Sequence, residues 1–368
     1  MKWSLKIAKV AGIEVYLHWT FIVLLVGVLV GGLRSVNHEG GNLNGFWFII
    51  LLFLFVLLHE FGHALMGKRF GVKTNHITLL PIGGVAAMEH IPEQPWQEML
   101  IALAGPAVNF VLALGFLLFL GISGHVPAFS DWWSPVSNDN MVYSLFTTNV
   151  MLFSFNLIPA FPMDGGRVLR ALLAMKYGRY RATNLAVRIG QLLAIGFVLY
   201  GLIPSTGNIW MVFIGVFIYL GAGAEGNYES TRSALVKYKV RDAIMHHFSP
   251  LQSSDTIGTA VKMLLDGQEK EFIVIENDAV VGTLNRNEMI EGLGHFGKEA
   301  VLSEVMNKVV LRLEPEMQLD EVYDQMTDEN VEIAPIFENN QLIGVLNRDN
   351  IMELLIIDNS QPHLGLRF

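Results

Sequence analysis

The chain has 368 residues, 52% of them hydrophobic and only 16% charged, with a mean hydropathy of +0.42. That is too apolar for an ordinary soluble protein and points to the membrane class. It has no cysteine, which excludes disulfides and any thiolate metal or redox centre. The formal charge of −9 is uneven: residues 231–368 hold 12 Lys+Arg and 23 Asp+Glu, a net of −11, and residues 1–230 hold 13 and 11, a net of +2. Neither part shows the basic patch a nucleic-acid partner requires.

In chain order, the N-terminal MKWSLKIAKVAG has lysines but no adjoining apolar core with a small-residue cleavage site, so no removable signal peptide is expected. "SLKIAKVAGIEVYLH" alternates around Gly12 and reads as strands, as does "NHITLLPIGGVAAMEH", broken by Pro81 and Gly83-Gly84. Both lie near one membrane face and could form a small sheet, shielded by protein or lining a wet cavity. Six apolar stretches approach the roughly 20 residues a span needs. They run at about 17–33, 45–67, 97–122, 143–160, 185–203 and 207–224. The third contains Gly105-Pro106, where a kink is expected. Of the 13 basic residues in this part, 12 fall in connections on one side, and Arg34 alone on the other with Glu39, Asp131 and Asp139. By the positive-inside rule both termini are expected in the cytoplasm.

The second stretch carries the chemistry. Fourteen apolar or glycine residues, Gly45 to Leu58, run into His59, Glu60 and His63. Four residues apart on a helix, the two imidazoles share one face. Two such nitrogens can hold one Zn²⁺ with Glu60 beside them, the HExxH arrangement. A zinc site of this kind lowers the pKa of a water to ~7, and a neighbouring glutamate takes the proton. Polar groups inside a span are costly and by default functional. A third ligand must come from elsewhere. In "FNLIPAFPMDGGRVLRALL" (155–173), Pro159 and Pro162 end the fourth stretch, and Asp164 precedes Gly165-Gly166 and an amphipathic helix. Asp164 reads either as that ligand, at the same membrane level as the HExxH, or as a cap on the helix it precedes.

HEFGH (59–63) and NLIPAFPMDGG (156–166) together resemble the two signatures of the site-2 proteases, the zinc intramembrane metalloproteases. The resemblance covers roughly residues 10–230. It implies His59, His63 and Asp164 as zinc ligands, Glu60 as catalytic base, and Asn156 as a contact to substrate or to the developing oxyanion. "AGPAVNF" (104–110) resembles a family segment that packs by the active site. "LLPIGG" (79–84) resembles a membrane-associated hairpin that receives substrate as an added strand. His18 reads either as a group facing the site or as an interfacial residue beside Trp19. His76, His90, His246 and His247 read as solvated surface.

After residue 231 the pattern changes. "FIVIENDAVVGTLNRNEMIEGL" (272–293) is echoed 62 residues on by "APIFENNQLIGVLNRDNIMELL" (334–355), each copy reading helix, strand, strand, helix. The pair resembles CBS domains, which implies an adenine nucleotide between the repeats. Where that family has Thr and Asp, however, this chain has Asn285 and Glu288, then Asn347 and Asn350. Nucleotide sensing and a homodimerisation or substrate-docking module therefore both stay open.

The expectation is a polytopic α-helical membrane protein of about six transmembrane helices with a small membrane-associated β-sheet, followed by a cytoplasmic α/β CBS-domain pair. The expected segments are 1–230 (metalloprotease), 231–297 and 298–360 (CBS repeats) and 361–368 (tail). The expected activity is zinc-dependent hydrolysis of a peptide bond in or near the transmembrane segment of a membrane-anchored protein, in contact with lipid in the cell membrane. The alternatives are a membrane transporter or channel regulated by a CBS pair, using the histidines and Asp164 as an ion path, and an inactive scaffold.

Overall fold

The computed structural model describes residues 4–39, 43–81, 83–88, 92, 94–124, 141–204, 208–267 and 269–360. His90, Asp131, Asp139 and the tail 361–368 lie outside the described residues. The chain divides into two compact units, Met1–Asn227 and Tyr228–Phe368.

The first unit is helical with one sheet. Strands β1 (Ser4–Val10) and β2 (Ile13–His18) form a hairpin turned at Ala11 and Gly12, both at positive φ. β3 (Thr74–Leu80) and β4 (Gly83–Met88) form a second hairpin. Parallel pairing of β2 with β3 joins them into a sheet of order β1-β2-β3-β4. Both segments read as strands in the sequence thus belong to one sheet. Alternation turns Ile13, Val15 and Ile77 to a buried face, where they pack on Phe61 and Ala64 of helix α2 (Asn44–Arg69). The sheet is thereby fixed to the helix that carries His59 and His63.

The other helices are α1 (Trp19–Glu39), α3 (Pro95–Ile122), α4 (Met141–Asn156), α5 (Asp164–Tyr177), α6 (Arg179–Gly201) and α7 (Ile209–Leu235). Among the described residues, α2, α3, α6 and α7 are long and apolar enough to cross a membrane. The apolar part of α1, Trp19–Leu33, and the sixteen-residue α4 are shorter. Large apolar side chains stand outward on α6 and α7, Leu192, Leu199, Trp210 and Phe213 among them, as a lipid-facing surface requires. The fourth stretch was expected to run to residue 160, but α4 stops at Asn156. Pro159 lacks an N–H and restricts the residue before it. The chain then turns through Leu157–Met163, with a cis Phe161–Pro162 bond, into α5. α3 runs unbroken through Pro106.

The second unit contains β5 (Leu251–Gln252), α8 (Ile257–Asp266), β6 (Glu271–Glu276), β7 (Ala279–Asn285) and α9 (Arg286–Phe296). A short α10 (Leu302–Val305) leads to α11 (Leu319–Asp328), β8 (Ile333–Glu338), β9 (Gln341–Asn347) and α12 (Arg348–Ser360). The repeat read from the sequence is thus a repeat of structure. Both hairpins turn on two residues at positive φ, Asn277-Asp278 and Asn339-Asn340, the type I′ geometry that asparagine and aspartate tolerate. Each repeat has its own core. Ile273 of β6, Ile333 of β8 and Val345 of β9 pack together and join the two.

Candidate active site

The site is built where α2, α3 and the start of α5 meet. His59 and His63 are buried on one face of α2, their rings edge to face with centroids 4.8 Å apart. Their Nε2 atoms are 3.1 Å from each other, and each is 3.1 Å from Oδ2 of Asp164. Asp164 is the first residue of α5. The cap position belongs to Met163, with no side-chain cap bond. The cap reading of Asp164 is therefore set aside, because its carboxylate is turned to the histidines. A carboxylate in the first turn also suits the positive end of the helix dipole.

The opposite edges of both rings are engaged by α3. His63 Nδ1 is 2.7 Å from the Ile101 carbonyl oxygen, and His59 Nδ1 is 2.5 Å from Asn109 Oδ1. Both partners accept, so each Nδ1–H donates. Between Ile101 and Asn109 lies Gly105. A Cβ there would stand 2.2 Å from His63 Nε2 and 2.7 Å from His59 Nε2. Residues 101, 105 and 109 are four apart and so share the face of α3 that receives the imidazoles.

This donor set fits zinc. With both Nδ1 atoms carrying the proton, two neutral rings leave two bare nitrogens and one carboxylate oxygen converging with no hydrogen between them. Two imidazolium rings at that separation would repel in a buried setting. Three mutually adjacent acceptors call for a cation. Their 3.1 Å separations are close to the roughly 3.3 Å edge of a tetrahedral site with ~2.0–2.1 Å zinc bonds. A histidine ligand whose other N–H is held by an oxygen is also the usual outer arrangement.

Glu60 is half-buried on α2, and a Cβ on Gly84 of β4 would fall 2.6 Å from its Cγ and 3.2 Å from its Oε1. The glutamate therefore lies directly against the backbone of the last strand of the sheet. Asn156 ends α4, with Nδ2 donating to the Leu152 carbonyl at 2.9 Å. Among the described residues no contact joins it to the three converging side chains. His18 bonds Thr20 Oγ1 at 2.7 Å and sits beside Trp19, and it is not a member of the converging group. His76 meets the ring of Tyr16, and His246 and His247 are exposed.

The prolines and glycines of the 156–166 segment have a packing reason. A Cβ on Gly165 would fall 2.3 Å from the Ile158 oxygen, and one on Gly166 2.6 Å from the Ala160 carbonyl carbon. The first turn of α5 is thus pressed onto the non-helical segment before it, which sets where Asp164 stands. Sequence reading missed Asn149 of α4, fully buried with Oδ1 3.1 Å from Asn109 Nδ2. It also missed fully buried Arg170 of α5. Its Nε is 2.7 Å from Glu98 of α3, and it also pairs with Glu225 of α7. An asparagine inside a stretch read as a membrane span was the available signal for the first; the second needs three helices to meet.

Known proteins bear on this geometry. The model of peptidase family M50 matches residues 47–137 and 122–197, and that of the CBS domain matches residues 302–357. A zinc metalloprotease of Methanocaldococcus jannaschii is 33% identical over 360 residues, 97% of this chain and 97% of the relative. Stage IV sporulation protein FB of Bacillus subtilis is 22% identical over 286 residues, 76% of this chain and 90% of that one. The solved site-2 protease from Methanocaldococcus jannaschii is 38% identical, covering 61% of this chain and 95% of its own, with a TM-score of 0.44. These comparisons lend no support to the carrier or channel reading. The identity extending along nearly the whole of both chains means that this protein belongs to peptidase family M50: it is a zinc metalloprotease of the site-2 type, set in a membrane, with a CBS domain towards its C-terminal end.

Proposed function

We propose that this intramembrane zinc protease cuts a peptide bond in or near the transmembrane segment of a membrane-anchored protein, with His59, His63 and Asp164 holding the metal and Glu60 as the base. The observation that carries the assignment is the convergence of three acceptors at 3.1 Å with no donor among them. Zinc held there supplies a Lewis acid that polarises the scissile carbonyl and lowers the pKa of a water to ~7. Glu60 takes that water's proton and later gives it to the leaving amine. β4 ends the sheet, and Gly84 brings its backbone against Glu60. A substrate segment pairing with the outer edge of β4 is held extended beside the base. Extension is required, because a helix shields its own peptide bonds. Asn156 has a second amide hydrogen besides the one given to Leu152, and it serves the oxyanion. The 12-to-1 distribution of basic residues supports cytoplasmic termini and a cut near that face. The division of labour is 1–230 for proteolysis and 231–297 with 298–360 for the CBS pair.

The test is a cleavage assay on purified protein with a panel of single-span substrates, with zinc content measured in parallel. Glu60→Gln is expected to keep its zinc and lose about 10²–10⁴-fold in rate; undiminished cleavage would sink the assignment of the base. Asp164→Ala is expected to lose zinc, and full occupancy would remove it from the ligand set.

In the second unit, a cavity of about 530 Å³ is lined by Phe248, Glu271, Asn347, Asp349 and Glu353 among others, with Lys270 its one cation among the described residues. Asn347 already bonds Glu271 and the Asn350 backbone N–H, while Asn285 and Glu288 are spent on a mutual capping box. This supports an adenosine-type ligand of low negative charge over a polyphosphate. Calorimetry of the full chain is expected to rank AMP above ADP above ATP. No heat at millimolar nucleotide would leave homodimerisation or substrate docking as its role.

A further inference from the structure

His59 turns its Nδ1 edge to a chain of buried amides, and only one set of donors and acceptors is consistent along it. The Leu145 carbonyl can only accept, so the atom of Asn149 that lies 2.8 Å from it is Nδ2. Asn149 Oδ1 is left to face Asn109, whose Nδ2 donates to it at 3.1 Å. Asn109 Oδ1 then faces His59 at 2.5 Å, so Nδ1 of the imidazole carries the proton and Nε2 is bare. Asn109 and Asn149 are both 0% exposed, so water does not compete for these groups.

An asparagine amide turned by half a circle has nearly the same shape but the opposite hydrogen-bonding sense. If Asn109 turned, its NH₂ would meet Nδ1. The ring would have to accept there and carry its proton on Nε2, pointing at His63 and Asp164. His63 has no such weakness, because its Nδ1 donates to the backbone carbonyl of Ile101, which cannot turn over. We propose that Asn149 is a positioning residue of the metal site: anchored on α4 at Leu145, it holds the Asn109 amide in one orientation and through it the His59 tautomer with a bare Nε2. This rests on the reading of His59 as a zinc ligand. It explains why a fully buried amide side chain stands on a helix of a membrane-embedded unit, where polar groups are costly.

The experiment measures zinc affinity of the full-length protein by competition with a chelator, in four forms: wild type, Asn149→Leu, Asn109→Asp and the double variant. Asn149→Leu is expected to weaken zinc binding about tenfold, the scale of an outer hydrogen bond to a ligand. The carboxylate introduced by Asn109→Asp presents an oxygen to His59 in either orientation. With Asn109→Asp as background, Asn149→Leu is therefore expected to leave the affinity within about twofold, or to raise it by removing an opposing oxygen. An equal loss in both backgrounds makes Asn149 a packing residue and overturns the proposal. Unchanged affinity in Asn149→Leu alone also overturns it. Helical circular dichroism of the metal-free proteins checks folding, and Asn149→Ala is read in the same way if the leucine variant does not fold. His59→Ala is the control on the underlying reading: if it binds zinc as wild type does, His59 is not a ligand, whatever Asn149 does.

Discussion

A methyl group at position 105 has nowhere to go. It would meet His63 Nε2 at 2.2 Å and His59 Nε2 at 2.7 Å, both well inside van der Waals contact, and both rings are pinned from behind by Ile101 and Asn109. Gly105→Ala is therefore expected to lower zinc affinity by at least about tenfold while circular dichroism still reports the helices. A variant that keeps full zinc would mean that the rings have more freedom than their bonds suggest. Single residues also decide behaviour in the second unit. Burial pushes the Glu271 carboxyl above the usual range; Asn347 and Lys270 oppose this, and Asp349 and Glu332 add to it. The folded chain then holds that proton more readily than the unfolded chain does. Stability falls as pH rises from the ordinary carboxylate pKa to the raised one, and the loss is complete above it. Glu271→Gln is expected to raise the melting temperature at pH 7 by a few degrees at most, with the gap closing near about pH 3. Thermal unfolding at the two pH values checks it.

Among the elements, α5 matters most, because it brings Asp164 to α2 from about a hundred residues away. Two features hold it. Gly165 and Gly166 let its first turn lie on residues 158–160. Six residues after Asp164, fully buried Arg170 pairs with Glu98 of α3 and Glu225 of α7, and also lies 5.0 Å from the ring of Phe161. Removing the arginine leaves the buried carboxylate of Glu98 with only the more distant Arg179, 3.6 Å away, as a partner, and breaking a buried pair of this kind costs up to about 3–5 kcal/mol. Arg170→Leu is expected to be destabilised on that scale. Adding Glu98→Gln is expected to restore a large part, since the stranded charge is then gone; chemical denaturation of the singles and the double measures the coupling. From the sequence, Arg170 was one basic residue among twelve on the side expected to be cytoplasmic. Its burial depends on three helices meeting, which no local pattern encodes. The strands, by contrast, were legible, because alternation and Gly-Pro breaks are local signals. Their union into one small sheet was expected from their common level, but the strand order and the parallel pairing of β2 with β3 were not, since two helices separate those strands.

At the scale of the whole molecule, the two units differ in composition as well as in fold. All seven tryptophans lie in residues 1–227, and the second unit has none. Tryptophan fluorescence on heating therefore follows the first unit alone. The cluster of His59, His63 and Asp164 sits in that unit, and each unit has its own hydrophobic clusters. Stripping zinc with a chelator is expected to lower the tryptophan-detected transition. A ligand at 100 times its Kd contributes about 2.7 kcal/mol. Glu271→Gln should leave that transition where it is and shift only the one seen by tyrosine or calorimetry. A chelator effect of equal size on both transitions would place metal-dependent stability outside the first unit.

The sequence by itself determined the membrane class, the HExxH pattern of His59, Glu60 and His63 at the end of an apolar stretch, and the repeat in the second unit. Each rests on spacing within a few turns or on a direct echo along the chain. It also brought Asp164 to attention but left it between ligand and helix cap, because a residue that opens a helix after a broken one has the same local surroundings in either role. Only the tertiary structure distinguishes the two: it turns the carboxylate to two imidazoles, as the proposed ligand role requires, and leaves the cap position to Met163. The same holds for Gly105, Asn109 and Asn149. Their effect is on the far edge or flank of a histidine on another helix, and which atoms meet there is set by how α2, α3 and α4 pack.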